Sequence, residues 1–243
     1  MTLDAWAALE RDIVRCERCP RLVAHRREVA RVRRRAYREQ EYWGRPVPGF
    51  GDEGARMLLL GLAPAAHGAN RTGRMFTGDS SGEWLYRALF ECGLADRQRS
   101  EARDDGFELR GAFVTAACRC APPANRPAPE EIASCAGYLD RELDLLPDLK
   151  VVVALGGIAW ASALRRARGV EPGAVPVPAP RFGHGATARL AFRAGGARIA
   201  LLGCYHPSRQ NTQTGRLTRG MLATVIRRAA RIAGLWGAPE GRG

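Results

Sequence analysis

The sequence predicts an α/β fold: three layers, α/β/α, on a central, mostly parallel four-stranded sheet. Three observations predict it. Four short apolar runs, residues 57–62, 112–117, 151–155 and 199–204, are each bounded by glycine, proline or charge, as buried parallel strands are. Helical patterns over residues 82–93, 129–146 and 158–168 alternate with them. A chain of 243 residues, 46% of them hydrophobic, is also long enough to bury one such core. Strand–helix alternation of this kind implies right-handed crossovers. Ligands in such sheets bind beyond the carboxyl ends of the strands.

The elements follow in chain order. Residues 4–19 read as a short amphipathic helix running into Cys16-Glu-Arg-Cys19-Pro20, so residues 1–50 form a helical, cysteine-bearing segment. Residues 21–45 carry nine arginines, with Tyr37, Tyr42 and Trp43 among them. Such a stretch is either a solvated helical face or an arm that faces phosphates. Ser80 or Ser81 stands where a cap for the helix over 82–93 is needed. Pro129, followed by Glu130 and Glu131, makes a good first turn, with acids where the helix dipole favours them. Residues 169–185 are rich in proline and glycine and read as a surface loop. A last helix runs over 219–235, and the tail 236–243 is expected to fray. No repeat or linker divides the chain, which reads as one domain over 1–243.

The formal charge is +13, from 38 basic against 25 acidic residues, and Lys150 is the only lysine. A field of that sign attracts polyanions, because each neutralised phosphate releases counterions. GC-rich codon usage accounts for arginine over lysine, but not for the surplus of bases over acids. No apolar run reaches the roughly 18–20 residues a spanning helix needs, and Met1 opens into no signal-peptide pattern. The expectation is an intracellular, nucleoid-associated protein. No feature predicts oligomerisation, so a monomer is expected.

Seven cysteines, an odd number, argue for metal ligation over a disulfide framework. Cys16 and Cys19 form a C-x2-C pair, while Cys120 follows the second strand and Cys135 lies 15 residues on. Two such pairs suit tetrahedral zinc or an iron–sulfur cluster, and spacing does not choose between them. Cys118 is the rival of Cys120 for the third position. Cys92, Cys118 and Cys204 otherwise sit in apolar surroundings, as core thiols do.

Two loops carry the chemistry. After the first strand comes Gly61-Leu-Ala-Pro-Ala-Ala-His-Gly-Ala-Asn-Arg-Thr-Gly-Arg-Met-Phe-Thr-Gly-Asp79-Ser-Ser-Gly82. It lacks the Gly-Lys-Ser/Thr of a P-loop and the Gly-x-Gly-x-x-Gly of a dinucleotide fold, which argues against a nucleotide cofactor. After the fourth strand comes Tyr205-His206-Pro-Ser208-Arg209-Gln210-Asn211-Thr-Gln-Thr-Gly-Arg216, polar, basic and at the same end of the sheet.

These loops, with the C-x2-C and the segment Cys120-Ala-Pro-Pro-Ala-Asn125-Arg126, resemble the uracil-DNA glycosylase superfamily. The match is to its type-5 branch, which carries a structural 4Fe–4S cluster, and it extends from Cys16 to Arg216. The resemblance implies Cys16, Cys19, Cys120 and Cys135 as cluster ligands, which favours Cys120 over Cys118. It implies double-stranded DNA as substrate, with the damaged base flipped into a pocket. Phe76 would stack on that base, the backbone of Gly61, Leu62 and Ala63 would line the pocket, and Thr115 would sit beside it. His206 would donate to uracil O2 and stabilise the departing base as an anion. Ser208, Arg209, Gln210, Asn211 and Arg216 would bind DNA, with Arg209 or Gln210 filling the gap left by the flipped nucleotide.

The chain departs from many relatives in two places. The first loop opens Gly61-Leu-Ala-Pro-Ala65, with no Asp, Asn or Glu to position water. Asp79 is then the nearest acid, with Asn125 as a helper, and Asp79 also stands where a helix N-cap belongs. In place of a base-reading asparagine on the second strand stands Phe113-Val-Thr115-Ala, which implies a permissive pocket that also accepts hypoxanthine and modified pyrimidines. With one lysine, distant from the site, backbone cleavage through a Schiff base is not expected. The competing expectation is a non-catalytic DNA-binding module whose cysteines hold zinc or a cluster.

Overall fold

A computed structural model describes residues 2–236. Helices α1 (Thr2–Val14) and α2 (Pro20–Val32) precede a short edge strand, β1 (Phe50–Gly51). Strand β2 (Met57–Gly61) leads through a small helix, α3 (Ala69–Thr72), into α4 (Ser80–Phe90) and β3 (Ala112–Ala116). Then come α5 (Pro129–Leu145), β4 (Val151–Leu155), α6 (Gly157–Val170), β5 (Thr187–Leu190) and β6 (Ile199–Cys204). Helices α7 (Arg209–Gln213) and α8 (Arg219–Ile232) close the chain.

The sheet has six strands, in the order β1-β3-β2-β4-β6-β5. The inner four are parallel, as expected, and the strands added at either edge are antiparallel. Sequence periodicity misses these edges for physical reasons. β1 is two residues long. β5, Thr-Ala-Arg-Leu, buries only Leu190 fully, so it never forms an apolar run.

The inner strands sort their side chains by the pleat. Met57, Leu59, Val151, Val153, Leu155 and Leu202 face a core completed by Leu85, Tyr86 and Leu89 of α4 and Leu222, Val225 and Ile226 of α8. Leu58, Leu60, Phe113, Val152 and Leu201 face the other layer, with Trp6, Leu9 and Ile13 of α1, Tyr138 and Leu139 of α5, and Trp160 and Leu164 of α6. Burial on both faces is why these strands read as continuous apolar runs.

Three expectations need correction. The cap of α4 is Asp79 and neither Ser80 nor Ser81: its Oδ1 accepts from Gly82 N at 2.9 Å. The first helix ends at Val14, and Cys16 and Cys19 lie in the turn before α2. The Pro/Gly-rich stretch is not only surface, because Phe182 packs on Trp160 and Tyr205 with ring centroids 6.1 and 6.2 Å away. Of the tail 236–243, all but Trp236 lies outside the described residues.

Candidate active site

β2 and β4 run side by side while their connections diverge, the switch point beyond whose strand ends ligands bind in sheets of this kind. The loop after β2 and the loop after β6 meet there. The ring of Phe76, from the first, lies 5.8 Å from that of His206, from the second, inclined by 31°. Phe76 also covers Gly61: a Cβ on that glycine would stand 2.9 Å from the phenyl ring. Phe76 is held at φ 52°, left-handed for a bulky residue. Such strain persists only where surroundings over-determine it. Here the constraint is Gly82, whose added Cβ would fall 1.6 Å from the Phe76 carbonyl oxygen.

Asp79 faces back into the first loop. Its Oδ2 lies where a Cβ on Gly68 would be, 2.4 Å from it. Burial pushes its carboxyl up, against the amides of Gly82 and Ser81 and the charge of Arg71, which oppose the shift. Arg71 Nη2 donates to Gly78 O at 2.9 Å and its Nε to His67 O at 2.9 Å, bracing the approach to Asp79. Gly68 and Arg71 are the residues that sequence reasoning passed over. The only sequence signal was their place inside the loop.

His206 is half-buried, and desolvation pushes its imidazole down to about 4. It is therefore neutral near pH 7, with an N–H to donate and no charge of its own. Its carbonyl accepts from Asn211 Nδ2 at 2.8 Å, and Ser208 caps α7 by accepting from Asn211 N at 3.4 Å. Asn211 thus braces the His206 loop from within. Arg209, Gln210 and Arg216 are exposed, Arg216 lying over Tyr205 at 4.7 Å. Leu62 and Ala63 are half-buried at the loop mouth, and Leu62 O accepts from Cys118 N at 2.9 Å.

Two expected residues stand apart. Thr115 is fully buried with its hydroxyl turned away from Phe76, donating to Glu142 Oε2 at 2.7 Å and accepting from Arg119. Arg119 and Glu142 are an ion pair at 2.6 Å, each 1% exposed. The structure therefore spends the Thr115 side chain on core charge, and only its backbone carbonyl comes near Gly61. Asn125 is exposed in a 3-10 turn at φ 55°, without a side-chain hydrogen bond among the described residues.

Among the described residues no group of three or more His, Cys, Asp and Glu side chains stands ready to hold a metal ion. The expected thiols are nevertheless neighbours. Cys120 is pushed up to about 12 by burial first and then, against Arg26, by Cys135, Cys16 and Cys19. Burial first and Cys135 next raise Cys19. Cys118 shares the gathering, held protonated chiefly by its contact with Cys135. An all-sulfur donor set of this kind fits zinc or an iron–sulfur cluster and no hard cation.

The family model of the uracil DNA glycosylase superfamily matches residues 48–230. This chain belongs to that superfamily. A type-5 uracil-DNA glycosylase of Mycobacterium bovis is 53% identical over 90% of this chain and 79% of its own length. One from Thermus thermophilus is 53% identical over 94% of this chain and 98% of its own. A type-4 uracil-DNA glycosylase of Archaeoglobus fulgidus is 34% identical over 46% of the chain. The superfamily match takes in the loop after β2 and the loop after β6, and the type-5 likeness runs through nearly the whole fold.

Proposed function

We propose that this chain hydrolyses the N-glycosidic bond of uracil in DNA and leaves an abasic site. The observation that carries the reading is the neutral His206 facing Phe76 above the bare backbone of Gly61, at the carboxyl end of the sheet. An extruded base stacks on Phe76. The bond from C1′ to the base breaks, and its electron pair departs with the base. A donor aimed at the base oxygen lowers the cost of that developing anion, and a neutral imidazole does so without losing its own proton. Water adds to C1′ and gives up a proton, for which Asp79, its affinity raised by burial, is the nearest acceptor. Exposed Arg209, Gln210 and Arg216 supply the DNA-facing surface.

Three finer points belong to this reading. The pocket presents backbone and rings but no base-reading amide on β3, which favours a permissive specificity that includes hypoxanthine. Lys150 is exposed at the amino end of β4, away from the two loops, which favours hydrolysis without backbone cleavage. Cys16, Cys19, Cys120 and Cys135 would hold a 4Fe–4S cluster whose contribution is structural, tying the turn before α2 to α5.

A duplex carrying one uracil tests the proposal. Base release should appear as alkali-sensitive cleavage, be lost in His206→Ala by roughly a hundredfold or more, and leave no borohydride-trapped adduct. Tight DNA binding without base release would instead establish a non-catalytic module.

A further inference from the structure

Arg26 belongs by sequence to the arginine-rich segment but not to its surface. It is 3% exposed on the inner side of α2. Its Nη1 donates to Gly44 O at 2.5 Å and its Nη2 to Cys16 O at 3.4 Å, while its buried Nε has no partner. Three arginines are buried among the described residues. Arg74 has Asp105 and Arg119 has Glu142. Arg26 has no carboxylate, and the nearby Glu17 is paired with exposed Arg27. A buried guanidinium without an anion is strongly disfavoured. The group beside it that becomes an anion on metal binding is the thiol of Cys16, whose carbonyl accepts from Arg26 Nη2.

We propose that Arg26 is the counter-cation of the cysteine centre and the strap that joins this centre to the first active-site loop. The proposal rests on the reading that the cysteines hold a metal centre. Four thiolates around a doubly charged zinc ion or cluster leave a net charge of about minus two, and one buried cation beside it offsets part of that.

The strap is a continuous path of hydrogen bonds. Arg26 O accepts from Asn70 Nδ2 at 3.3 Å, and Gly44 N donates to Asn70 O at 3.0 Å. Asn70 is fully buried inside the first loop, and its own N donates to Ala65 O at 3.0 Å. Next to it, Trp43 N donates to Arg71 O at 2.8 Å, and Arg71 reaches Gly78 O, one residue before Asp79. Displacing Arg26 therefore disturbs the sulfur centre and the Asp79 loop together. Partners around a metal centre that orient it typically matter ten- to a hundredfold for its retention.

The test compares purified wild-type holoprotein with Arg26→Met, Arg26→Lys and Arg27→Met. Three quantities are read: absorbance near 400 nm, the rate of metal release to a chelator, and the midpoint potential. Arg26→Met should release metal roughly ten- to a hundredfold faster and shift the potential to more negative values, because a cation favours the more negative reduced centre. Arg26→Lys should restore the potential, and Arg27→Met should match wild type. The proposal is overturned if Arg26→Met changes neither release nor potential, or if Arg26→Lys shifts the potential as far as Met does. Should Arg26→Met fail to fold, Arg26→Gln takes its place as the uncharged variant and is judged by the same release and potential criteria. A wild type without the 400 nm band but with bound zinc refutes the iron–sulfur reading alone. The release rates then still judge Arg26, with the Lys variant expected to retain zinc better than Met.

Discussion

At His206 and Asp79, desolvation works against the charged form of both groups, lowering the imidazole's affinity for a proton and raising the carboxylate's. For His206 the shift is large enough to read as a titration. Its folded value, about 4, lies below the ordinary histidine range. The unfolded chain therefore binds the proton first, and the stability this residue contributes is complete above about 6.5 and declines as pH falls toward 4. An NMR titration of the imidazole should show no inflection between pH 6 and 8, and activity should not follow a histidine-like step there. Asp79 carries two roles on one carboxylate, since Oδ1 caps α4 while Oδ2 lies against Gly68. Asparagine caps nearly as well as aspartate. Asp79→Asn should thus hold the urea midpoint while uracil release slows by roughly a hundredfold or more. Loss of stability with full activity would make Asp79 a cap and nothing else.

Among the elements, legibility in the sequence tracked burial. β2, β3, β4 and β6 are enclosed by helices on both faces, so their apolar runs stand out. α4, α5 and α8 carry ordinary amphipathic periodicity. β1 and β5 escape because an edge strand needs little apolar area, and α2 was legible only as an arginine-rich helical face, without the inward turn of Arg26. That the loops of Phe76 and His206 meet at one end of the sheet was legible from their places after the strands. For Thr115 the sequence shows only a hydroxyl at a strand end; its bond to Glu142, 27 residues away, is visible only in the fold. The join between the Phe76 turn and α4 is the tightest backbone approach at the site. Gly82→Ala places a methyl 1.6 Å from the Phe76 carbonyl oxygen. It should cost about 1–3 kcal/mol or more, seen as a lower urea midpoint, with base release lost because the Phe76 ring is displaced.

Across the whole molecule, charge and function share one end of the sheet only in part. The +13 surplus includes buried Arg74 and Arg119, which pair with acids, and buried Arg26, which donates to backbone carbonyls. The exposed arginines of α7 and its flanks remain for DNA. If they contact phosphates as proposed, log Kd for a non-cleavable duplex should rise linearly with log salt. With Arg209, Arg216 and Arg219 as the contacts, the affinity should fall by roughly 40-fold between 50 and 200 mM salt. A nearly flat dependence would count against a DNA-facing surface at this end.

Lys150 stands exposed at the opposite end, its backbone N–H donating to Arg56 O at 2.9 Å beside the start of β4. It is the only lysine side chain in the protein. Among side chains, amine-directed coupling to a bead, a dye or a sensor chip therefore has one target, at the end of the sheet away from the two loops. A molecule tethered there is held in one orientation, and what it is offered in solution meets the two active-site loops first.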